Sequence, residues 1–237
     1  MASSIDDATV GPWLALMQLS DSALPIGRHA HAMGLERLFR DGRVQTQASL
    51  REMIVSALLH GTARADGAAT ALAHDALQAG DALALRRVDA RLDPLKQTPS
   101  AQAASRRCGS RLAALAATFG GQAVLADYAA EVAARKTPGH LAVVSGAVSA
   151  AAGIPRAHAV LSEMRGVAAM ILSAAVRLDV LPATASQSML AALSPEIVAA
   201  TRIALQTGEE DMASGAAAGL EIAAMRHARD DARLFAS

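Results

Sequence analysis

Histidines, one cysteine and the carboxylates are the groups in this 237-residue chain that could do chemistry beyond packing, and their spacing limits what that chemistry can be. His29 and His31 stand closest together. A separation of two puts side chains on different faces of a helix, whereas an extended turn can bring both imidazoles to one nickel or zinc ion. We read the pair as turn-stabilising or exposed, because His60, His74, His140, His158 and His227 are scattered and offer no further donor at ligand spacing. Cys108 is the only cysteine, which excludes an internal disulfide and a thiolate zinc cluster, suits a reducing cytosol and reads as a small buried hydrophobe. Asp66 and Asp75 have no spacing that suggests an acid–base pair. No Gly-x-x-x-x-Gly-Lys-[Ser/Thr], Gly-x-Gly-x-x-Gly, His-Glu-x-x-His or Gly-x-Ser-x-Gly occurs, and the chain has no Gly-Lys pair at all. The expected site therefore has no catalytic residue, no metal ligand and no cofactor, and any nucleotide hydrolysis belongs to another protein.

The stretch that could act by shape is Leu16-Met17-Gln18-Leu19-Ser20-Asp21-Ser22-Ala23-Leu24-Pro25-Ile26-Gly27-Arg28-His29-Ala30-His31-Ala32-Met33-Gly34-Leu35-Glu36. Pro25 fixes its own φ, Gly27 permits backbone angles closed to other residues, and Ser20, Asp21 and Ser22 favour helix ends over interiors. Leu24 and Ile26 flank the proline with apolar groups that a solvated loop would not need. The stretch reads as a helix end, a rigid polar turn and a second helix start.

Composition says what kind of body carries that turn. Apolar residues make up 52% of the chain and aromatic residues 2%, so a compact core is expected while strand formers are thin. All-α is the natural class: a single-domain bundle of about eight to ten helices spanning 1–237, with 1–11 and 226–237 as mobile or partner-docking termini. Twenty-two basic and twenty-two acidic residues cancel, and with five aromatics there is little to stack bases on, so nucleic acid is set aside. No basic-then-apolar leader opens the chain. The longest uncharged run, Thr137 to Pro155, is broken by glycine and proline and is too short for the roughly 20 residues of a membrane span, so we read it as a buried core helix.

Along the chain, Pro12 is placed to open a short helix over Trp13 to Leu19, and Ala30 to Arg40 continues after the turn until Gly42. Thr46 can cap a helix to about Ala65, and Ala68 to Ala79 follows with Gly80 as its stop. Asp81 caps a helix to about Leu92. Thr98 and Pro99 open one that carries Arg106, Arg107, Cys108, Gly109, Arg111 and Leu112, whose arginines either face solvent or meet an acidic partner. Val124 to Arg135 forms the next, and small residues Ser145, Gly146, Ser149 and Ala150 would let a neighbour approach the helix after His140. Between Val160 and Leu181, Val167, Met170, Ile171, Ala174, Ala175 and Leu178 make one apolar stripe. Ser194, Pro195 and Glu196 start a helix to about Gln206, and Gly208 ends it. Leu234 and Phe235 lie two to four residues from the end, where chains are usually polar, and need something to bury against.

Four motifs in order resemble the UreF family of urease accessory proteins: the opening turn with His31 and Gly34-Leu35-Glu36, Gly139-His140-Leu141 with Val143-Val144, Ser173-Ala174-Ala175-Val176-Arg177-Leu178, and terminal Arg233-Leu234-Phe235-x-Ser237. The chain departs from the family pattern at Arg28, His29, Ala30 and Met33, and over Asp179 to Thr184, with Gln187 restoring the match. The resemblance implies a non-catalytic cytoplasmic adaptor that helps load nickel into the urease apoprotein. It further implies a homodimer, in complex with the nickel-binding GTPase UreG and the scaffold UreD, also called UreH, with nickel and GTP held by those partners and no membrane or nucleic acid involved. On that basis Arg233, Leu234, Phe235 and Ser237 would dock on UreD/UreH, while Asp21, Ser22, Pro25, Gly27, His31, Glu36, Arg177 and Gln187 would face UreG or the second subunit. The alternatives are a small helical enzyme with an internal pocket and a diverged relative without urease partners.

Overall fold

In a computed structural model, the structure describes residues 7–214 together with 222, 223, 225 and 226, and all regular elements among them are helical. Apolar residues recurring at three and four build the elements in chain order: α1 (Asp7–Ser20), α2 (Leu35–Arg40), α3 (Gln47–Ser56), a π-helical run (Ala57–Gly67), α4 (Ala68–Gln78), α5 (Ala82–Leu95), α6 (Pro99–Ala114), α7 (Ala123–Ala133), α8 (Leu141–Ala151), α9 (Arg156–Arg177), α10 (Ala183–Ala192) and α11 (Ser194–Gln206). Because α3 runs through the π segment into α4, these helices number ten among the described residues, an all-α single-domain fold.

Side-chain caps set several of these boundaries. The hydroxyl of Thr46 accepts from Ser49 N, the carboxylate of Asp81 from Ala84 N and the hydroxyl of Thr98 from Ala101 N. Gly42 and Gly80, at φ +71° and +68°, close α2 and α4 in the left-handed conformation that other residues enter only at a cost. Three expectations need correction. The helix expected from Ala30 to Arg40 is interrupted, because Met33 and Gly34 both take positive φ, so that a 3-10 turn over Arg28–Ala30 precedes a shorter α2. No break separates Ala65 from Ala68: Gly67 is helical at φ −61° and is there for close contact, since a methyl group on it would lie 2.7 Å from the Ala204 Cβ. And Pro12 sits inside α1 rather than opening it.

The 47–78 rod is the spine. One face of it joins α2, α9, α10 and α11 in a cluster that includes Leu50, Ile54, Leu58, Met164, Ile171 and Ile197. Its α4 half joins α5, α6, α7 and α8 in a second cluster that includes Leu77, Leu85, Leu112, Leu125, Val143 and Val148. The expected stripe on α9 is real: Val167, Met170, Ile171, Ala174 and Ala175 are buried and Leu178 packs partly buried against them. That helix is long and apolar enough to cross a membrane, but 61% of its most apolar window is buried inside the chain, as in a core helix.

Close approach of α4 and α8 depends on glycine. A Cβ on Gly146 would run into the Thr70 carbonyl oxygen, and one on Gly109 of α6 into the Gly139 carbonyl oxygen ahead of α8. The start of α8 is fixed by Asp89 of α5, fully buried, whose carboxylate accepts from Thr137 Oγ1 at 2.7 Å, Gly139 N at 2.7 Å and His140 N at 2.9 Å. A carboxylate at a helix N-terminus satisfies otherwise unpaired N–H groups and opposes the positive end of the helix dipole.

Candidate functional site

Residues 20–34 form a turn clamped onto α9 and α6. At its near end the Asp21 carboxylate accepts from Ala23 N at 2.8 Å and Ser20 Oγ meets Ser162 Oγ at 3.0 Å. Ile26 is buried, and Gly27 at φ +78° has no room for a side chain, since a Cβ there would stand 2.6 Å from Arg111 Nη1. Arg111 in turn reaches toward the Ile26 carbonyl at 3.5 Å.

Arg28 is the principal bolt. Its guanidinium meets Glu163 of α9 in a two-pronged pair, Nη1 to Oε2 at 2.9 Å and Nη2 to Oε1 at 2.7 Å, with a further bond to the Glu163 carbonyl at 3.1 Å. Gly166 leaves space for it, as a Cβ there would lie 2.7 Å from the Arg28 Cζ. A second bolt comes from the far end of α9, where Arg177 donates to the carbonyl oxygens of His29 and Ser173. Charge-assisted, geometrically matched bonds of this kind hold one conformation better than single neutral bonds do.

Behind the turn lies a cleft of about 130 Å³, walled by Arg28, Glu163, His31, Asp66, Lys96 and Cys108 among others. Its acids and bases are matched: Lys96 Nζ meets Asp66 Oδ1 at 2.5 Å, as Arg28 meets Glu163. Burial, helped by the positive charges of Arg107 and Arg111, pushes the His31 imidazole down to about 4, so it is neutral at neutral pH. Burial also raises the Cys108 thiol above its ordinary value, which keeps it unreactive and fits its reading as a small hydrophobe. Among the described residues no group of three or more His, Cys, Asp and Glu could hold a metal ion. The cleft is partly open and lined mostly by apolar surface, with these two ion pairs in its walls, and it is the feature an enzymatic reading would have to use.

The residues singled out from sequence fall into three groups. Asp21, Ser22 and Pro25 are exposed on the turn, Arg177 is exposed beside it, and Gln187 is exposed on α10. His31 and Glu36 are buried, at 7% and 1% exposure, so they stand behind this face as support; Glu36 holds Arg40 at 2.6 Å. Gly27 is a conformational requirement of the turn. Arg233, Leu234, Phe235 and Ser237 lie outside the described residues. Of the α6 arginines, Arg106 pairs with Asp93 of α5 and Arg111 serves the turn.

Sequence reading missed Arg28–Glu163, Lys96–Asp66 and Asp89. One signal was available: Glu163 is an acid three residues after Val160 and four before Val167, squarely on the buried stripe, where a charge requires a partner. His140 stands at the N-cap of the core helix α8 and is fully buried, with Nε2 donating to Asp93 Oδ1 at 2.8 Å and its ionisation suppressed chiefly by burial.

A sequence model of the family described as UreF matches residues 44–194. The urease accessory protein UreF of Arthrobacter sp. strain FB24 is 30% identical over 224 residues, covering 94% of this chain and 96% of that protein. The urease accessory protein UreF 2 of Brucella canis is 31% identical over 222 residues, covering 94% and 90%, and the UreF of Haemophilus influenzae strain PittGG is 28% identical over 223 residues, covering 94% of each.

Proposed function

The chain belongs to the UreF family of urease accessory proteins, and from that membership we propose that it is a non-catalytic, cytoplasmic adaptor in urease maturation. In this reading it bridges the GTPase UreG and the scaffold UreD/UreH as a homodimer. Nickel is cargo bound for the urease apoprotein, and nickel and GTP are held by the partners. The observation that carries the reading is the likeness to proteins of that name over 94% of the chain. Two features of the site support it. The turn is bolted to α9 at two points of that helix, Glu163 and Arg177, which suits a surface that a partner reads by shape, and the ionised groups behind it are neutralised in pairs instead of being held ready for a substrate.

Two measurements test the partner assignments. Phe235→Ala should lower capture of UreD in a pull-down by at least about tenfold, since buried aromatic anchors dominate such interfaces; capture equal to that of the intact chain overturns the docking role of Arg233, Leu234, Phe235 and Ser237. Arg177→Glu removes the bolt to the His29 carbonyl and should reduce both complex formation with UreG and urease activation. Unchanged complex formation and activation would overturn the role of the turn face, Asp21, Ser22 and Pro25 included.

A further inference from the structure

Among the described residues a strongly one-signed surface adjoins the turn through Arg111, in a concavity of about 730 Å³ between α6 and the end of α7. Arg106, Arg107, Arg111, Arg135 and Lys136 all line it, and no carboxylate does. Arg106 is partly neutralised from behind by Asp93, and Arg111 is drawn toward the Ile26 carbonyl. Arg107, Arg135 and Lys136 are exposed and have no acid within ion-pair distance among the described residues.

Backbone strain adds a second observation. Arg135 holds φ +57° at the stop of α7, where its N–H bonds the Val132 carbonyl at 3.0 Å. Glycine is the usual residue there, and a side chain in that conformation costs about 1 kcal/mol. The charged side chain therefore sits where the backbone alone would favour glycine.

We propose that this cleft docks an acidic peptide segment of a partner protein. Guanidinium groups on two walls can each grip a carboxylate with two parallel bonds, and low-dielectric walls of one sign concentrate the field between them. Ala103, Val132 and Pro138 give the concavity an apolar floor on which an aliphatic side chain between two acids can rest. The volume suits several residues and far exceeds a lone phosphate. No aromatic side chain lines the cleft, so it lacks the platforms on which proteins stack the bases of a single strand. The inference rests on Arg107, Arg135 and Lys136, which are not part of the turn's clamp, and holds whichever way the turn-face assignment falls.

The probe is a fluorescein-labelled Glu-Leu-Glu-Glu-Leu-Glu peptide titrated against the full chain at about 50 mM salt, where screening is weak. Arg107→Glu/Arg135→Glu/Lys136→Glu should weaken binding by at least about tenfold, and Arg43→Glu/Arg64→Glu/Arg202→Glu, an equal change of charge elsewhere, by less than about twofold. Arg135→Gly alone should weaken binding without lowering the melting temperature, which separates the side chain's charge from any role in folding. Equal weakening by the two triple variants overturns the proposal, as does the absence of peptide binding. Tighter binding of inorganic pyrophosphate or a single-stranded oligonucleotide than of the peptide, lost in the cleft variant, would overturn the assignment to an acidic protein segment.

Discussion

At the scale of single residues, the turn depends on a pair that is buried on both sides: the Arg28 and Glu163 side chains are 16% and 5% exposed. Such a pair contributes little relative to well-packed apolar groups, but removing one partner leaves a charge without compensation. Glu163→Ala should therefore cost about 3 to 5 kcal/mol in urea unfolding, well above Arg37→Ala, which loses a partly exposed i,i+4 pair to Asp41 worth under about 1 kcal/mol. Similar losses for both would mean the Arg28 bolt is not what fixes the turn. His31 gives the turn an acid limit. Its folded-state value of about 4 lies below the unfolded value near 6.5, so between those values the unfolded chain binds more protons, and stability falls as pH drops through that window. His29 is lowered too, chiefly by burial and then by Arg28 and Arg177, so it acts in the same direction. The His31 contribution is at most about 3 kcal/mol, fully present above pH about 6.5 and lost toward pH about 4. Urea unfolding at pH 7 and at pH 4.5 should show it, and His31→Gln should flatten the dependence; a variant with the same slope as the intact chain would place the acid sensitivity elsewhere.

At the scale of elements, the helices that sequence reading located were those written in local chemistry. Thr46, Asp81 and Thr98 cap from within three residues of the N–H they satisfy, and Gly42 and Gly80 stop helices by their own φ. What stayed hidden was chemistry between distant residues: Arg28 finds Glu163 across 135 positions, and Asp89 finds the N-terminus of α8 across about 50. The same limit explains the break expected near Gly67, since its helical conformation is chosen by Ala204 and Met164 packed against it, neither of which is near in sequence. The π run over Ala57–Gly67 was also illegible; one Thr62 Oγ1 bond to the Ala57 carbonyl at 3.0 Å sits inside it. Small residues on α8 were legible and testable. A methyl group at Gly146 meets the Thr70 carbonyl oxygen and lies 3.1 Å from the Ala73 Cβ, so Gly146→Ala must push α4 from α8 and should cost about 1 to 3 kcal/mol in thermal or urea unfolding. Exposed Gly11, with nothing within 4 Å of an added Cβ, is the control, and Gly11→Ala should be neutral or slightly stabilising.

At the scale of the whole molecule, the two apolar clusters share one continuous rod, and that sharing decides how the chain unfolds. A body of this size could melt in two steps, since all-or-none behaviour is usual only below about 150 residues. Here, however, α3 and the π run carry Leu50, Ile54 and Leu58 into one cluster, while α4 carries Ala68, Ala73 and Leu77 into the other. Melting either cluster strips one face of the spine that orders the other, and α9 reinforces the link by packing against both α4 and α8. We therefore expect one transition for the described body. Leu58→Ala and Leu125→Ala, each deleting a fully buried side chain from a different cluster, should lower that transition by about 2 to 5 kcal/mol apiece and accelerate amide exchange in both clusters. If Leu125→Ala instead splits the melt and leaves exchange in α9 and α11 unchanged, the rod does not couple the halves. In that case a partner docked between α6 and α7 could order its own cluster without stiffening the turn that α9 holds.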